Sequence, residues 1–142
     1  MLGIGNPWRG DDAAGLEVAR RLRAEGLRAL EREGEPSSLL DAWEGETDVF
    51  VVDAVSSGAE PGTIHRLDAR AGPLPAELFA MSTHHLSVAE AVELARALGR
   101  LPERLEVYGI EGAGFEAGSG LAPPVERAVE AVAAELAARL SS

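Results

Sequence analysis

The chain has neither cysteine nor lysine among its 142 residues. Without cysteine there is no disulfide, no thiolate nucleophile, no iron–sulfur cluster and no zinc-finger site. A metal therefore has only histidine and carboxylate side chains to hold it. Without lysine there is no Schiff-base amine and no P-loop amine; all 13 cationic side chains are arginine. No apolar run reaches the roughly 18 residues that cross a bilayer. No basic stretch followed by a long apolar one opens the chain, as a secretory signal would. The expectation is a soluble cytoplasmic domain without a membrane partner. Cations are scarce too. Against 24 Asp and Glu they leave a formal net charge of −11. That argues against nucleic acid or an anionic membrane, both of which need clustered Lys or Arg.

What is present is one domain's length, residues 1–142, enough to bury about two thirds of the unfolded surface. Met1 to Gly5 is a short apolar start, briefer than the ~5–6 residues of a usual central strand. Asp11 and Asp12 precede a helical pattern running to about Leu30, with Leu16, Ala19, Leu22 and Leu30 as inward positions. Aspartate fits a helix start, where its carboxylate accepts free backbone N–H groups. Val49-Phe50-Val51-Val52 is a continuous run of the kind a strand shows when both its faces are buried in a parallel sheet. Gly62 to Leu67 follows the turn signal Glu60-Pro61-Gly62 and reads as a shorter strand. Ser87 and Glu90 match a capping box, and the helix they open carries Val88, Val92, Ala95 and Leu98 before stopping at Gly99. Leu105 to Ile110 is the last strand. A glycine-rich loop follows, and Pro123 and Pro124 open a final helix striped by Val125, Val129, Val132, Leu136 and Leu140. The order β-α-β-β-α-β-α predicts an α/β sandwich with a mostly parallel sheet.

In open α/β sheets ligands bind beyond the carboxyl ends of the strands. Three such ends carry polar residues: the first runs into Gly5-Asn6 and Arg9-Gly10-Asp11-Asp12, the second ends in Asp53, and the loop before the capping-box helix holds Ser82-Thr83-His84-His85. Two carboxylates and an imidazole from three loops form a ligand set for nickel, zinc or cadmium. Each member also has a plainer reading. Asp12 serves equally as an N-cap. The His84-His85 doublet lacks helical ligand spacing. His65 reads as a surface residue of its strand, and Trp8 as a core, lid or recognition aromatic. Asp53 is harder to explain as structure, because a carboxylate at a buried strand end must be paired or ligated.

The motifs together resemble the hydrogenase maturation proteases. Gly3-Ile4-Gly5-Asn6-Pro7-Trp8-Arg9-Gly10-Asp11-Asp12-Ala13-Ala14-Gly15 is similar to that family's opening motif. Val52-Asp53-Ala54-Val55 with Glu60-Pro61-Gly62-Thr63 resembles the second, and Ser82-Thr83-His84-His85-Leu86 the third. Tyr108-Gly109-Ile110-Glu111 and Gly120-Leu121 resemble the closing strand and loop. The resemblance implies a three-layer α/β sandwich of the phosphorylase/hydrolase-like kind, with helices on both faces of a twisted sheet. It implies an endopeptidase that removes a short C-terminal peptide from the precursor of a nickel–iron hydrogenase large subunit. The metal ligands and catalytic residues it implies are Asp12, Asp53 and His84. It implies too that the nickel is carried by the substrate, with no permanent cofactor; separately, a monomer is the simplest expectation for a chain of this size. The chain departs from the family pattern in having Asp12 where some members have Glu. It also has Glu31-Arg32-Glu33-Gly34-Glu35-Pro36-Ser37-Ser38 in place of an Asp-Gly-Gly-Thr-like segment.

For the chemistry, the metal either polarises the scissile carbonyl, activates a water, or only places the peptide while Asp11 or Asp53 acts as general base. One rival is a non-catalytic nickel-binding or large-subunit-binding maturation factor using the same ligands. Another is peptidyl-tRNA hydrolase, which opens with a similar Gly-x-Gly-Asn-Pro. That family expects a histidine soon afterwards, and Arg9 to Gly15 contain none. A generic nucleotide-binding domain is opposed by the two aspartates in the first loop.

Overall fold

The strand that carries Asp53 is the middle of the sheet. In the computed structural model, which describes residues 1–5, 13–32, 36–75, 88–113 and 120–141, the elements run β1 (Leu2–Ile4), α1 (Ala14–Ala24), β2 (Leu30–Arg32), α2 (Pro36–Trp43), β3 (Asp48–Val55), β4 (Ile64–Asp68), α3 (Val88–Ala97), β5 (Arg104–Glu111) and α4 (Pro123–Leu140). The five strands order β2-β1-β3-β5-β4. All neighbours are parallel except β4, which runs antiparallel to β5. The expected mostly parallel α/β sheet is therefore what the chain forms.

Alternation along β3 explains why its apolar run is unbroken. Val49, Val51 and Val55 enter one core with Leu39, Leu40 and Trp43 of α2 and Val88, Val92 and Ala95 of α3. Phe50 and Val52 enter the other, with Val18 and Leu22 of α1 and Val125, Val129, Val132 and Leu136 of α4. Each face of the sheet is covered by a helix pair, α2 with α3 and α1 with α4. That is the three-layer arrangement.

The element order differs from expectation in one place: β2 and α2 add a strand and a helix between the first helix and β3. The first helix does not reach Leu30. Gly26, at φ +80°, ends it. The Gly26 N–H bonds the Arg23 carbonyl at 2.9 Å and the Leu27 N–H bonds the Leu22 carbonyl at 3.0 Å, a Schellman stop. Leu30 then pairs with Leu2 as the start of β2. The stop expected at Gly99 has the same form, with Gly99 bonded to Arg96 and Arg100 to Ala95. Leu98 lies beyond α3 and is exposed rather than inward. Ser87 of the expected capping box lies outside the described residues.

Two glycines let α1 settle directly onto the sheet backbone. A Cβ on Gly15, in the first turn of α1, would stand 2.3 Å from the Val52 carbonyl oxygen and 2.5 Å from that of Ile4. On the far half of α4, Glu135 receives Arg66 Nη2 at 2.7 Å and Arg66 Nε at 3.1 Å. Arg66 holds the Glu135 carboxyl below its ordinary range. Burial pushes the Tyr108 phenol up, and its oxygen accepts Arg139 Nη1 at 2.8 Å.

Candidate functional site

The connection from β1 passes through α1 to β2 on one side, and α2 returns the chain to β3 on the other side of β1. The strand order therefore reverses between β1 and β3. That is the place where open α/β sheets bind ligands, outside the strands' carboxyl ends. Gly3 pairs with Val52 in register, and Asp53 is the next residue along β3.

Asp53 is buried at 8% exposure. By alternation it shares the α2/α3 face of the sheet with Val51 and Val55. One of its carboxylate oxygens, Oδ1, accepts the Ala54 N–H at 2.9 Å, and its neighbour across the ladder is Gly109. Asp12 and His84, the other two expected ligands, lie outside the described residues, as do Asp11, His85 and Trp8. Of the described residues that flank those stretches, Gly5, Ala13 and Val88 lie toward this edge, whereas the stretch holding His84 is entered from Ala69, whose N–H bonds the Leu105 carbonyl at the other end of β5. Gly5 follows β1, and the buried Ala13 precedes α1. Val88 opens α3, whose far end leads through a short link into the start of β5. Among the described residues no group of three or more metal-ligating side chains is assembled.

A second buried carboxylate, singled out in the sequence only as part of a motif, stands on the same face. Glu111 ends β5, is 1% exposed and pairs with Val55 in register. Both its oxygens accept the Ser57 N–H, at 3.0 and 3.1 Å. The Ser57 hydroxyl also donates to it, and His65 Nε2 lies 3.2 Å from Oε1. His65 is consequently half-buried against a carboxylate, not the free surface residue its strand position suggested. The signal for Glu111 was present: it follows the apolar Val107 to Ile110 just as Asp53 follows Val49 to Val52. A charge at the end of a buried strand requires partners in both cases.

The hydrogenase maturation protease family matches residues 26–139, a stretch that holds Asp53, His84 and Glu111. The chain belongs to that family. It is 28% identical over 148 residues to the hydrogenase 2 maturation protease of Escherichia coli K12, spanning 99% of this chain and 88% of that protein. The solution structure of an endopeptidase from Escherichia coli superposes with a TM-score of 0.81 at 27% identity, covering 99% of this chain and 91% of that one. The crystal structure of the maturation protease HycI from Thermococcus kodakarensis KOD1 gives a TM-score of 0.76 at 26% identity, covering 99% and 90%.

Proposed function

We propose that the chain is the endopeptidase that trims a short C-terminal peptide from the nickel-loaded precursor of a nickel–iron hydrogenase large subunit. Asp12, Asp53 and His84 recognise the substrate's nickel. The observation that carries this reading is Asp53. It is a buried aspartate at the carboxyl end of the central strand, at the point where the strand order reverses, in a fold shared with solved maturation proteases. A charge that interrupts an apolar run at a buried strand end must be paired or ligated, and in this family's fold we assign it to the substrate's metal.

Family membership makes the chain a hydrolase of peptide bonds. In the hydrolysis, water adds to the scissile carbonyl carbon, the C–N bond breaks, and the new amine takes a proton. Nickel held by two carboxylates and one imidazole keeps open positions for a carbonyl or a water. The precursor is the only partner this chemistry needs. The reading places the enzyme in the cytoplasm as a monomer with no resident cofactor; among the described residues, no helix is long and apolar enough to cross a membrane.

The test is precursor processing by wild type and by Asp53→Ala. Wild type converts the nickel-loaded precursor to its mature length. Asp53→Ala processes it at least a hundredfold more slowly while unfolding in urea within about 1 kcal/mol of wild type, the range of a substitution that breaks no core packing. A well-folded Asp53→Ala that trims at near-normal rate contradicts the assignment.

A further inference from the structure

Glu111 is a carboxylate that the core does not need. An apolar residue at the end of β5 would pack against Val55 without desolvating a charge. What the carboxylate supplies is a tie between three segments: the end of β5, the link between β3 and β4 through Ser57, and the edge strand β4 through His65. Backbone bonds close the far end of that link, with Gly62 N–H on the Glu111 carbonyl at 2.8 Å and Glu111 N–H on the Thr63 carbonyl at 2.9 Å. At the near end, the Ser57 N–H goes to the Glu111 side chain. The link leaves β3 two residues after Asp53, and by alternation Asp53, Glu111 and His65 stand on one face of the sheet. Between the strands of Asp53 and His65, the register position is Gly109, which carries no side chain.

Resting on the function proposed above, we infer that Glu111 is a positioning residue for substrate binding. It holds residues 56–60 as a fixed wall beside Asp53, against which the precursor's C-terminal segment lies. Asp53 is itself fixed by its ladder to Gly109, so loss of the tie loosens the wall and leaves the ligand in place. The effect therefore falls on KM and not on kcat.

The experiment compares wild type, Glu111→Gln, Glu111→Leu and Ser57→Ala on the nickel-loaded precursor, together with amide hydrogen exchange of the free proteins. In Glu111→Leu, Ser57 amide protection falls at least tenfold while the amides of Val51 and Val107 are unchanged. KM rises about tenfold, with kcat within twofold of wild type. Glu111→Gln keeps an acceptor oxygen and restores KM to within about threefold of wild type. Ser57→Ala, which removes the hydroxyl donor and keeps the amide, raises KM two- to fourfold and supplies the test should Glu111→Leu not fold. A loss confined to kcat, or Glu111→Gln as impaired as Glu111→Leu, overturns the positioning role. Unchanged Ser57 protection in Glu111→Leu overturns the tie itself, whatever the precursor does. Failure of wild type to process the precursor overturns the proposed function and not the tie.

Discussion

Gly3 cannot carry a side chain, because a Cβ there would lie 2.2 Å from the carbonyl oxygen of Gly15. The two residues belong to β1 and to the first turn of α1, so the close approach seats that helix start on the sheet beside the end of β1. The same turn lies over β3, since a Cβ on Gly15 would meet the Val52 carbonyl immediately before Asp53.

This contact reverses an ordinary rule. Gly→Ala inside a helix usually stabilises by about 0.5–1 kcal/mol, because alanine loses less backbone freedom on folding. Gly15→Ala is predicted to destabilise instead, by about 2–3 kcal/mol, since its Cβ meets backbone atoms that cannot rotate away. Urea unfolding measures it, and a stabilised Gly15→Ala would show that the helix start is free to lift.

The three proposed ligands are predicted to act as one site. Calorimetric titration with cadmium gives saturable one-to-one binding to wild type. Binding is lost in Asp53→Ala and in His84→Ala, because two remaining donors do not hold a borderline ion with open positions. Retained binding in either variant removes that residue from the set.

Glu135 gives a pH prediction with a definite sign. Arg66 holds its carboxyl below the ordinary range in the folded protein. Its stabilising contribution is therefore present above the unfolded value and is lost as pH falls through the folded one. Glu135→Gln is predicted to cost about 0.5–1 kcal/mol at pH 7, the scale of a half-exposed pair. The difference closes when the comparison is repeated at a pH below the ordinary glutamate range. Equal costs at the two pH values, read by urea unfolding, would contradict the pairing.

Much of the fold was legible because its elements repeat their signals. Val49 to Val52 marked the central strand, and the stripe from Val125 to Leu136 marked α4, all of it buried. β2 and α2 were not. β2 has three residues and only Leu30 is apolar, while α2 buries Leu39, Leu40 and Trp43 in eight residues. Pro36, suited to a first helical turn, and the stop at Gly26 were the available cues. At the site, Asp53 was legible because a charge breaks an apolar run. The relation of Glu111 to Ser57 and His65 was not, since those partners lie 54 and 46 residues away in sequence. Only the pairing of β5 with β3 and β4 brings them together.

The central claim is that the Asp53 edge recognises nickel already seated in the precursor. It is tested most directly by offering wild-type protein the same large-subunit precursor with and without nickel and measuring the length of the product. The account predicts that the loaded precursor is trimmed and the metal-free one is left intact. Equal trimming of both would contradict it.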